Sequence, residues 1–162
     1  MIPGTALAVP AFVEMHTFGL VNTYGSVILV EAAVGMPFGL VVLKNFFDAF
    51  PHELEEAAEI DGAGAVRTLV SVVVPNTRSA LTIVGIWTLL NSWNDFLFQL
   101  LFLTRQGLTT VALAPLMFEG AHSAQTGDLF ALLVLVSLPI VFVYVLAKRH
   151  LEAGLAGGGL KL

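Results

Sequence analysis

Three long apolar runs constrain this chain more than anything else in it. Residues 25–43 make 19 positions with one charge, Glu31; residues 80–103 make 24 with one charge, Asp95; residues 129–147 make 19 with none. A helix rises about 1.5 Å per residue, and crossing a bilayer takes about 20 apolar residues. Inside lipid every backbone polar group must be satisfied within the protein, so the spans are expected to be helices. The expected fold is all-α, a polytopic transmembrane helical bundle.

Composition agrees. The hydrophobic share is 57%, the mean hydropathy is +0.88, and 12% of residues are charged, against about 25% for soluble domains. Seven Lys and Arg stand against twelve Asp and Glu, which argues against a nucleic-acid partner, because that needs a basic surface. There is no cysteine, and the four His, at 16, 52, 122 and 150, lie in separate segments. No metal site is expected. Residues 1–14 contain Pro3 and Pro10 and read as the end of a further span, so the chain looks truncated at its N-terminus.

Residues 44–79 differ in kind. They hold six of the twelve acids, Asp48, Glu53, Glu55, Glu56, Glu59 and Asp61, together with Lys44, Arg67 and Arg78. Pro51 stands at a first helical position, acids crowd the next turn, and Gly62 supplies a stop, which predicts a short helix over about Pro51 to Asp61. The run from Ala65 to Val74 predicts a second, apolar helix before Pro75. Lys and Arg concentrate in 44–79 and in the tail 148–162, so both are expected on the cytoplasmic side, with 104–128 as the external loop.

Glu56-Ala57-Ala58, then Gly62, then aliphatic residues at 72 and 74 and Pro75, keep the spacing of a known motif. This segment resembles the EAA loop of the membrane subunits of binding-protein-dependent ABC importers. Asn91-Ser92-Trp93-Asn94-Asp95-Phe96 resembles the span after that loop in the carbohydrate branch, and the Gly-rich end from Gly154 is similar to the tail of maltose-type permeases. The resemblance implies a bundle of the type I importer permease kind, with about two further spans before Met1, located in the cell membrane. It implies that Glu56, Ala57, Ala58, Gly62 and Pro75 form the coupling surface for a cytoplasmic ATP-binding subunit dimer. ATP and Mg belong to that dimer, and this chain carries no cofactor. A second permease subunit and an extracytoplasmic solute-binding protein are the other implied partners.

No catalytic residue is expected, and there is no GxxxxGK[ST] phosphate loop. Thr88, Asn91, Asp95 and Gln99 recur at i, i+3, i+7 and i+11, which puts them on one face of the helix expected over 80–103. That face should turn from lipid, so Asn91, Asn94, Asp95 and Gln99 are the candidates for a sugar path, with Asp95 and Glu31 as ionisable groups within spans. Trp87 and Trp93 could stack on a sugar ring, with simple packing the commoner role of a membrane Trp; Glu53, Glu55 and Glu59 are expected as surface charges, and Glu119, His122 and Asp128 as external-loop charges near a docking binding protein. The alternatives are a type I importer of another solute, such as a polyol or glycerol phosphate, or a truncated fragment that docks the ATPase without transporting.

Overall fold

The computed structural model describes residues 3–105, 107–119 and 126–157. Among them every regular element is helical. After a 3-10 turn at Gly4–Leu7 come α1 (Ala8–Thr17), α2 (Tyr24–Asp48), α3 (His52–Ile60) and α4 (Ala65–Thr68). A π-helical turn, Leu69–Val73, leads into α5 (Val74–Asn76), then α6 (Arg78–Asn94) and α7 (Leu97–Phe102). A second 3-10 turn at Val111–Leu113, α8 (Leu116–Glu119) and α9 (Thr126–Gly157) complete the order. The chain divides into two compact units, Met1–Met36 with Thr88–Tyr144, and Pro37–Trp87 with Val145–Leu162.

Among the described residues two helices are long and apolar enough to cross a membrane, Tyr24–Asp48 and Gly127–Lys148. They contain the expected spans 25–43 and 129–147 and extend past both. Pro37 lies inside α2 and Pro139 inside α9, and neither ends its helix. The Gly127–Lys148 segment is apolar all round, with Phe130, Val134, Leu135, Val141, Phe142 and Val145 all exposed. That pattern suits a hydrocarbon solvent.

The first unit has a core of Met15, Val27, Val30, Phe98, Phe102 and Leu103, packed by Phe12, Val34 and neighbours. Phe12 stacks on Phe102 at 6.3 Å, and Phe98 on Phe102 at 6.0 Å. One residue fastens the loop before α2 to the end of α7. Asn22 adopts φ +64°, a left-handed conformation that Asn tolerates better than most residues. Its Oδ1 accepts from Thr104 N and Oγ1, both at 2.9 Å, and from Arg105 N at 2.8 Å, while its own N–H donates to Phe102 O at 2.8 Å.

In the second unit Phe38 stacks on Trp87 at 4.1 Å, and Gly39 sits so close to α6 that a Cβ there would meet Val84 Cγ1 at 3.5 Å. The apolar stretch expected as one helix before Pro75 is helical, but not uniformly. Pro75 has no N–H to give to residue 71, and its ring crowds that carbonyl, so the ladder widens into the π turn just ahead of it. Immediately afterwards Asn76 Nδ2 donates to Val72 O, and Thr77 donates to Val73 O from both its N–H and its Oγ1, each at 2.9 Å, local side-chain bonds that compete with the regular helix ladder. At Thr77 the chain turns by 73° between Ala65–Asn76 and Arg78–Asn94. By length and composition this bent pair also qualifies as a broken span or a re-entrant loop.

Candidate functional site

The short helix expected at Pro51–Asp61 forms at His52–Ile60. Pro51 is its N-cap, at φ −64° and ψ 118°, so it precedes the first helical residue rather than occupying that position as expected. Glu53 and Glu55 occupy the first turn, where negative charge complements the helix dipole. His52 Nδ1 lies 3.6 Å from Glu55 Oε2. Termination follows the expected mechanism: Gly62 adopts φ +78°, Gly62 N donates to Glu59 O and Ala63 N to Ala58 O, both at 2.9 Å. A left-handed glycine that closes the last carbonyls is a Schellman-type stop.

The turn folds α3 back so that it packs on α4 and the π turn. This separates the two small residues that the sequence places side by side. Ala58 is buried, whereas Glu56, Ala57, Gly62 and Pro75 are exposed. Sequence reading missed the apolar neighbours: Ile60 is 86% exposed, Val66 77% and Val70 60%, with Leu54 also open. These are large side chains for a segment rich in acids. The signal available was their presence at 54, 60, 66 and 70 around Gly62, since periodicity alone could not say which of them the turn would leave uncovered.

The stretch 80–103 is not one helix. It breaks at Asp95 and Phe96 into α6 and α7, so the single face drawn through Thr88, Asn91, Asp95 and Gln99 does not run continuously. The cause is Asp95, whose short side chain offers the backbone an alternative acceptor. Gln99 N donates to Asp95 Oδ2 at 3.3 Å, and Asp95 N turns back to Ser92 O at 3.3 Å. Ionisable and amide groups gather at this break. Gln99 is buried; its Nε2 donates to Ser92 O at 3.0 Å, and its Oε1 accepts from Thr110 Oγ1.

Glu31, from the middle of α2, faces Ser92, Gln99 and Asp95, and its Oε1 is buried without a hydrogen-bond partner. Asn91 and Asn94 lie on exposed parts of α6, and Asn94 Nδ2 is committed to Leu90 O at 2.7 Å. Of the four path candidates, Asp95 and Gln99 therefore come together with Glu31, and the two asparagines stand apart from that cluster. Trp93 donates from Nε1 to Val136 O at 3.3 Å. Asp128 is exposed at the start of α9, Glu119 ends α8, and His122 lies outside the described residues. Among the described residues no group of His, Asp and Glu is placed to hold a metal ion.

The family model for "binding-protein-dependent transport system inner membrane component" matches residues 1–157. The trehalose/maltose transport system permease protein MalG of Thermococcus litoralis is 32% identical over 162 residues, covering 99% of this chain and 58% of its own. The diacetylchitobiose uptake system permease protein NgcG of Streptomyces coelicolor is 34% identical over 152 residues, covering 93% and 50%. The inner membrane ABC transporter permease protein YcjP of Escherichia coli is 30% identical over 161 residues, covering 99% and 58%. The chain thus spans only about half to three-fifths of the length of these relatives. Its long apolar helices, its acidic helix stopped by Gly62 and the match along nearly all of its residues agree, and the chain belongs to the family of binding-protein-dependent transport system inner membrane components.

Proposed function

We propose that this chain forms part of the membrane subunit of an ATP-driven importer of a neutral sugar or oligosaccharide. The observation that carries the reading is α3 with its stop. A nine-residue helix held between membrane segments exposes Glu56, Ala57 and Ile60 on a fold fixed by Gly62. A short helix with an exposed apolar residue among acids suits a groove on a partner. That partner is a cytoplasmic ATP-binding subunit dimer, where ATP and Mg bind. Residues 44–79 and the C-terminus accordingly face the cytoplasm. Closure of the dimer moves α3, and α3 passes the motion to the spans through its packing on α4 and the π turn. The solute arrives from an extracytoplasmic binding protein, and a second permease subunit lines the other half of the path.

The relatives named for trehalose, maltose and diacetylchitobiose support a sugar as the solute. Asn91, Asn94, Asp95 and Gln99 are the path residues in this reading. The test is a whole transporter reconstituted in vesicles with its partner subunits. A cysteine at Ala57 should cross-link to a cysteine placed in the ATPase groove, and uptake of radiolabelled maltose or trehalose should require ATP. Failure of any cross-link between the α3 surface and the ATPase, in a complex that transports, would refute the coupling assignment.

A further inference from the structure

Beside the α6–α7 break lies a cavity of about 370 Å³, lined chiefly by Ser92, Trp93, Gln99, Thr109, Thr110 and Val111. Ligand sites run from about 300 to 1,000 Å³, so this one suits a single ring rather than a chain of rings. Among the described residues, the lining holds no charged side chain. It combines an indole, a serine and two threonine hydroxyls and an amide, and hydrogen bonds fix the orientation of Trp93, Gln99 and Thr110.

The amide sets the polarity of the site. Gln99 Nε2 donates to the Ser92 carbonyl, so the atom facing Thr110 is the amide oxygen. An amide oxygen has no hydrogen to give. The hydrogen in the Thr110–Gln99 contact therefore comes from the threonine. With that hydrogen committed, Thr110 Oγ1 offers the cavity only lone pairs, and Gln99 Oε1 keeps a second lone pair of its own. Trp93 is held by its bond to Val136 O and forms a wall shared with a second, apolar crevice against Pro139, Ile140 and Val143. Its polar hydrogen is thus spent outside the cavity. Acceptors and an aromatic wall suit a ligand with hydroxyl donors and an apolar ring face. They disfavour an anion, which would find no cation among the described lining residues.

We propose that this cavity is a subsite for one neutral sugar ring, formed by Trp93, Gln99, Thr109 and Thr110 at the junction of α7 with the loop after it. The proposal rests on the sugar reading above and adds a location and a polarity to it. The place differs from the path residues Asn91 and Asn94, which do not line it. With 104–128 on the external side, as the distribution of Lys and Arg predicts, the site lies at the outer end of the path and shares Gln99 with it.

The test uses the full-length chain assembled with its partner subunits, purified in detergent without the solute-binding protein. Saturation-transfer NMR reads binding of maltose and of trehalose, with glycerol 3-phosphate as the anionic control. Thr110→Val should weaken sugar binding about tenfold, the scale of one hydrogen bond to a ligand. Thr110→Ser should bind within about twofold of the parent, as it keeps the hydroxyl. Thr109→Val, which leaves the Gln99 network intact, should weaken binding severalfold and covers the case in which Thr110→Val fails to assemble. Unchanged binding in both valine variants overturns the proposal, as does equal competition by glycerol 3-phosphate. A parent complex that imports either sugar in vesicles but binds neither without the binding protein also overturns it. A parent complex that imports no neutral sugar overturns the sugar reading itself.

Discussion

Gly62→Ala changes one methyl group, and the structure separates its two conceivable effects. A Cβ built on Gly62 meets nothing within 4 Å, so crowding inside the chain contributes nothing. What remains is the backbone, held at φ +78°, where an L side chain costs roughly 1–2 kcal/mol. That corresponds to about a 5- to 30-fold shift between the stopped helix and its alternatives. Gly62→Asn adds a larger side chain but tolerates the left-handed conformation, and should stay within about twofold of the parent on this argument. The assay is sugar uptake per ATP hydrolysed in vesicles, with subunit co-purification as the check on assembly. Alanine should uncouple or weaken docking, and asparagine should not. If asparagine is the more damaging, space at the partner contact governs this position, and the conformational argument is refuted. Gly62→Asp probes the same surface with added charge beside Asp61, so a loss seen with Asp and not with Asn reports electrostatic repulsion at the docking face.

Three further outcomes follow from other parts of the fold. Asn22→Ala removes an acceptor shared by three donors and should lower stability by about 2–4 kcal/mol, at about 1 kcal/mol per bond. Asn22→Asp keeps the acceptor and should unfold near the parent temperature; equal losses in thermal scans would contradict the clasp. Ile60→Ser, at an 86% exposed position, should leave thermal stability unchanged but reduce recovery of the ATPase with the membrane subunit, whereas a large stability loss with normal recovery would place Ile60 in the chain's own packing. Asp95→Asn keeps an acceptor for Gln99 N and should preserve the α6–α7 break, while Asp95→Leu should weaken it; hydrogen exchange at residues 95–99 reads the difference, and identical protection in the two variants would remove Asp95 as its cause.

The long apolar helices that contain 25–43 and 129–147, the short acidic helix and its glycine stop are legible in the sequence because each depends on local chemistry. Apolar length, charge-free runs, a proline before a helix and a left-handed glycine after it act within a few residues. The region 80–103 is where such reading falls short. Its periodicity is helical throughout, but Asp95 accepts from Gln99 N and redirects the chain, and no repeat of apolar residues registers that competition. The same holds at Pro75 and Thr77, where a proline visible in the sequence leads to a π turn and a 73° bend. Sequence marks such a site without giving its angle.

The sequence by itself determined the solvent this protein lives in, its helical class and its family, because hydrophobic content and motif spacing are properties of the chain. The tertiary structure decided which groups share a place. It turned Ala58 inward and left Ala57 and Ile60 outward. It brought Glu31 from α2 to Ser92, Asp95 and Gln99, and joined Thr110 to Gln99 across a helix end. These pairings lie far apart along the chain or depend on a break within it. They follow from how the helices pack and where their backbone bonds are interrupted, which no local pattern of residues encodes.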